Sequence, residues 1–169
     1  MTVSSFIVLA AGLAAAVVTD TRSRRIPNWL TGSMMVAGFA LAVSGLGAVT
    51  PGQAALGIAT GLVLMLPGHV IGATGAGDVK LMAAVGAFVG PLLAFYAFLG
   101  TAVTGGVFAV AVAARRGRLG ATIEGTGQLV TAPLAAKLEI EAPARANRFA
   151  YAPAIAVGSL VAVLLTAKW

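Results

Sequence analysis

Long apolar stretches alternate with short polar breaks along this chain. The apolar stretches run from Val3 to Thr19, from Trp29 to about Leu46, from Ala54 to Ile71, from Val79 to Ala114 and from Phe149 to Thr166. A helix needs roughly 20 apolar residues to cross a hydrocarbon core of about 30 Å. The breaks are a basic loop at Thr21 to Asn28, an uncharged turn at Gly47 to Gln53 with Pro51 and Gly52, a small-residue loop at Gly72 to Gly77, and a polar segment from Arg115 to Arg148. Between Val79 and Ala114 only Lys80 is charged, a length that suits a helical hairpin turning at Gly90-Pro91. An arm from Val79 to Val89 rises only ~17 Å, so Gly100 or Gly105-Gly106 stay open as later turning points. The pattern predicts an all-α, polytopic membrane helix bundle of about six transmembrane helices. The whole chain, 1–169, reads as one integral membrane domain, with 115–148 a loop within it. That loop is either a plain linker or carries a short interfacial helix around Leu134 to Ile140. No internal repeat is evident.

Composition strengthens this picture. Hydrophobic residues make up 59% of the chain, charged residues 9%, and the mean hydropathy is +0.99. A soluble domain has roughly a quarter of its residues charged, so lipid must cover most of this surface. The net charge of +6 is explained by topology and not by nucleic acid. With six spans and the N-terminus outside, the inner segments are Asp20 to Asn28, Gly68 to Lys80 and Arg115 to Arg148. They hold ten of the eleven basic residues, leaving only Lys168 outside. The positive-inside rule favours that orientation. The first apolar stretch lacks a basic N-terminal flank and is followed by the basic cluster, the reverse of a secretory signal. Trp29 and Trp169 fit an interfacial aromatic belt. With no cysteine and one histidine, His69, neither a metal site nor a Ser-His triad is expected, and no cofactor is implied. His69 itself is expected at the interface.

The same topology places chemistry. Asp20 and Asp78 are the only aspartates, 58 residues apart, yet the span count puts both at the cytoplasmic border. A carboxylate buried in a membrane costs roughly 2.5–3.5 kcal/mol. Asp78 near a helix N-terminus can act simply as a cap. Asp20 at a helix C-terminus opposes the dipole, and Arg22 and Arg24 are available to compensate. Two carboxylates brought close share a proton, so one can activate a water while the other polarises a carbonyl. The run Gly72-Ala73-Thr74-Gly75-Ala76-Gly77 before Asp78 leaves room for an extended peptide backbone, or for tight helix packing. Gly75, Gly77, Lys80, Pro27 and Asn28 are the candidate substrate-binding residues. Lys80 either tunes the acids or snorkels to the interface. Pro27-Asn28 sets the start of the second span. Arg22, Arg24 and Arg25 read mainly as topological charges.

The run Gly75-Ala76-Gly77-Asp78-Val79-Lys80-Leu81-Met82-Ala83-Ala84-Val85-Gly86 resembles the GxGD signature of type IV prepilin peptidases. Asp20-Thr21-Arg22-Ser23-Arg24-Arg25-Ile26-Pro27-Asn28 resembles the same family's first-aspartate motif. Tyr151-Ala152-Pro153-Ala154-Ile155-Ala156-Val157-Gly158 is similar to its last span, with Ala150-Tyr151-Ala152 where the family usually has Pro-Tyr-Gly. The resemblance implies that Asp20 and Asp78 are the catalytic pair. It implies as partner a membrane-anchored prepilin, cut on the cytoplasmic side of the bacterial inner membrane just before its hydrophobic helix. Larger members add a four-cysteine region and N-methylate the product. This chain, starting at its first span without cysteine, is similar to the short branch serving Flp/Tad pili, with no methyltransferase activity expected. Two other readings stay open. One is a presenilin-like GxGD intramembrane protease, although that group carries Tyr-Asp where this chain has Thr19-Asp20. The other is a non-enzymatic pilus-assembly protein or proton-coupled transporter using the aspartates as proton sites. The sequence carries no sign of oligomeric state.

Overall fold

The computed structural model describes residues 2–115 and 151–166. Apart from Arg115, the 115–148 loop lies outside them, as do Phe149, Lys168 and Trp169. The described chain is all α-helical: α1 (Val3–Ser23), α2 (Asn28–Val43), α3 (Pro51–Val70), α4 (Ala76–Arg115) and α5 (Ala152–Thr166). Three of these are long and apolar enough to cross a membrane: α1, α3 and α4. The shorter α2 and α5 are apolar as well.

Helix starts follow local chemistry. α3 begins earlier than hydropathy implies, because Thr50 caps it. The Thr50 side chain accepts from the Gln53 N–H, the Gln53 side chain accepts from the Thr50 N–H, and Pro51 takes the first helical position. This reciprocal capping box absorbs Pro51 to Gln53 into the helix and shortens the expected Gly47–Gln53 turn.

α4 is interrupted at Gly90, whose backbone (φ 77, ψ 178) belongs to a region open essentially to glycine. Pro91 follows and lacks the N–H that would bond back across the break. A straight helix would separate Asp78 from Gly105 by ~40 Å. Both instead approach Tyr151: Asp78 through its charge, and Gly105 so closely that a Cβ there would lie 2.6 Å from the tyrosine hydroxyl. The chain therefore folds back at Gly90-Pro91, and α4 is a hairpin of two arms, 76–89 and 91–115.

The first arm is the axis of the bundle. Leu81 through Gly90 are buried without interruption. α3 lies antiparallel against it so tightly that a Cβ on Gly57 would collide with the Gly86 carbonyl, and a Cβ on Gly86 with that of Gly57. Such backbone proximity replaces hydrophobic drive, which is absent between helices in lipid. α2 runs alongside in parallel, with Gly38 against Ala87 and Phe88. The second arm pairs antiparallel with α5, through Gly100 on Gly158 and the Thr104 hydroxyl donating to the Ala154 carbonyl at 3.1 Å.

Candidate active site

Asp20 lies within the last turn of α1, since the helix continues to Ser23. Arg24 ends it in a left-handed conformation (φ 52), donating its N–H to the Asp20 carbonyl. A carboxylate there opposes its own helix dipole, as the sequence implied. The structure supplies the offset from elsewhere. Asp20 Oδ2 accepts a 2.9 Å hydrogen bond from the N–H of Ala152, the first residue of α5. That helix end carries free N–H groups and positive dipole charge. Asp20 is only 5% exposed.

Asp78 lies in the first turn of α4 and is 8% exposed. Its Oδ2 accepts the Gly75 N–H at 2.9 Å, and its own N–H donates to the Gly75 carbonyl at 3.1 Å. The capping role is thus realised, with one carboxylate oxygen engaged in it. A Cβ on Gly75 would sit 3.1 Å from that oxygen.

Asp20 is tied to the dipeptide Tyr151-Ala152 at the start of α5, and Asp78 to the Gly75 turn. Asp20 holds the Ala152 N–H. Tyr151 stands just ahead of α5, outside the helix. It is near enough to Asp78 for the two to interact electrostatically. The tyrosine ring rests over Gly105, where a Cβ would come within 2.6 Å of the hydroxyl and 2.9 Å of the ring edge.

The two sequence motifs are also docked on each other. Ile26 is buried against Gly77, where a Cβ would fall 3.1 Å from the Ile26 Cβ. Lys80 Nζ donates to Asn28 Oδ1 at 2.8 Å across 52 residues of sequence. Pro27 precedes α2 with φ −62 and ψ 138, extended backbone that turns the chain into the helix. So Gly77, Lys80, Pro27 and Asn28, expected as substrate-binding, all sit where the α1–α2 connection is pinned to the start of α4. Arg22 and Arg25 are exposed beside it. His69 is exposed at the end of α3, its Nδ1 3.1 Å from the Thr74 carbonyl oxygen. Among the described residues, no three His, Cys, Asp or Glu side chains come together to hold a metal.

Sequence reasoning missed Tyr151 and Ala152 as neighbours of the acids. One signal was available: neither Ala150 nor Tyr151 is a capping residue type, which leaves the N–H groups at the start of α5 open to an acceptor from another helix.

No curated protein and no solved structure matches the chain. The type IV leader peptidase family model matches residues 7–110. That span includes both aspartates, Ile26-Pro27-Asn28 and the Gly75 to Lys80 run. With well over half its length matched and both docked motifs inside the match, this apolar helix bundle belongs to the type IV leader peptidase family and is a membrane peptidase.

Proposed function

We propose that the chain is an aspartic endopeptidase that removes the leader of type IV, Flp-like prepilins at the cytoplasmic face of the bacterial inner membrane, with Asp20 and Asp78 as its acid–base pair. The observation that carries this is the burial of both acids against backbone donors. The only two aspartates in the chain are buried, each with a carboxylate oxygen on a backbone N–H, that of Ala152 for Asp20 and that of Gly75 for Asp78. One ionised carboxylate takes a proton from water as the oxygen attacks the scissile carbonyl. The protonated carboxyl donates to the carbonyl oxygen. The tetrahedral intermediate then collapses, the C–N bond breaks, and the leaving amine takes a proton from the pair. Family membership favours hydrolysis over proton-coupled transport. The positive-inside distribution supports a multi-pass arrangement with the N-terminus outside and the acids facing the cytoplasm.

The test is co-expression with a panel of prepilins, following leader removal by mass. Wild type should process at least one, and Asp20→Asn and Asp78→Asn should each lower the rate by at least about 100-fold. Processing that survives either substitution rules out the pair.

A further inference from the structure

The loop that delivers Asp78 is tied to the end of α3 by its backbone and by one side chain. The Gly68 carbonyl accepts the Ala73 and Thr74 N–H groups at 2.8 and 3.1 Å, and the His69 carbonyl accepts the Gly72 N–H at 3.0 Å. Gly72 turns the chain there with φ 80, a region that favours glycine. The side chain is that of His69, whose Nδ1 lies 3.1 Å from the Thr74 carbonyl oxygen. A carbonyl oxygen can only accept, so Nδ1 carries the proton and donates. It does so in the neutral Nδ1–H tautomer and in the imidazolium alike.

That carbonyl and the Gly75 N–H belong to one peptide group. The N–H donates to Asp78 Oδ2 at 2.9 Å. Imidazole and carboxylate thus sit at opposite ends of one planar unit, and hydrogen bonds at its C=O and N–H strengthen each other. His69 is exposed, so burial does not hold its ring there.

We propose that His69 is a positioning residue for Asp78, holding the Thr74–Gly75 peptide so that its N–H fixes the carboxylate by Oδ2. This inference rests on the reading of Asp78 as one of the two catalytic acids. The imidazole touches no substrate in this role. With Oδ2 held on the loop, rotation of the carboxylate about its last bond is restricted, and the acid keeps one orientation through the reaction.

The experiment uses the full chain in lipid nanodiscs and a prepilin that wild type cleaves in cells. The variants are His69→Ala, His69→Asn, His69→Gln, Asp20→Asn and Asp78→Asn. Asparagine places its amide nitrogen as many bonds from Cα as Nδ1, whereas glutamine places it one carbon farther. kcat, KM and Tm are measured for each. The Gly75 N–H is followed by NMR without substrate, on protein labelled at Thr carbonyl carbons and Gly nitrogens, with Gly75→Ala identifying its signal. Asp78→Asn should move that signal upfield, as the charged acceptor is lost. His69→Ala should move it the same way and lower kcat by roughly 3- to 10-fold with KM unchanged. His69→Asn should recover most of both changes, and His69→Gln should not. A Gly75 signal unmoved in His69→Ala overturns the proposal. So does wild-type kcat in His69→Ala, or a loss as large in His69→Asn as in His69→Ala. Cleavage persisting in Asp20→Asn or Asp78→Asn, or absent from wild type with every prepilin, removes the acid pair and with it the catalytic consequence. That failure is distinct, because the Gly75 signal decides the contact without any cleavage.

Discussion

The two arms of α4 are similar in composition and opposite in circumstance. In the first arm every residue from Leu81 to Gly90 is buried. In the second only a stripe is covered: Ala94, Ala97, Thr101 and Gly105, at helical spacing, face α5. Leu92, Val103, Val107 and Val110 stand exposed on its other side. Both arms read as uniformly apolar, since lipid and protein interior solvate a leucine about equally. The marker that separates them is the fit of small residues to a neighbouring backbone, as at Gly57 and Gly86. In this bundle hydropathy reports immersion, and steric fit reports which immersed helix is central.

Substitutions can break or sharpen that contrast. The largest effect is expected from Gly86→Leu, which drives a side chain into the α3 backbone and should cost at least about 3 kcal/mol. Unfolding of the reconstituted protein by denaturant titration measures it, and a stability near wild type would mean that α3 and the first arm can separate freely. Next comes one substitution made on both arms. Leu81 is 0% exposed and Leu92 is 64% exposed. Leu81→Ala should lose about 2 kcal/mol of packing. At the polar end of the first arm, Lys80→Met should cost about 1 kcal/mol by releasing Asn28, and should slow processing more than it lowers Tm. The smallest change is expected for Leu92→Ala, within about 0.5 kcal/mol in the same titration. Equal losses for the two leucines would erase the contrast between the arms.

Much of this architecture could be read without coordinates, for physical reasons. Apolar runs locate helices wherever the solvent is hydrocarbon, and a glycine-proline pair inside such a run marks where it turns. The positions of α1, α3 and the Gly90 break follow from those two facts. Charge parity leads to the expectation that Asp20 and Asp78 share one border; the structure holds Asp20 on the Ala152 N–H and Asp78 on that of Gly75. The start of α3 was harder to see: Pro51 looks like a turn residue until the Thr50–Gln53 exchange turns it into a first helical residue. Lys80 on Asn28 and Ala152 on Asp20 were out of reach of periodicity. Contacts between positions 52 and 132 residues apart depend on how helices are arranged around one another, and no local pattern encodes that. Gly77 shows the mixed case. Its smallness was legible, while its occupant, Ile26, was not.

The bond between Asp20 and Ala152 also has a meaning in time. A membrane protein is made from its N-terminus onward, so Asp20 enters with the first helix and its N–H partner arrives with the last one described. Until then a carboxylate at the membrane border lacks the dipole that offsets its position on α1, a costly state for a group destined for burial. Insertion of α5 resolves that cost and delivers Tyr151 in the same step. In a bundle built this way the first helix and the last described one complete each other only when they meet.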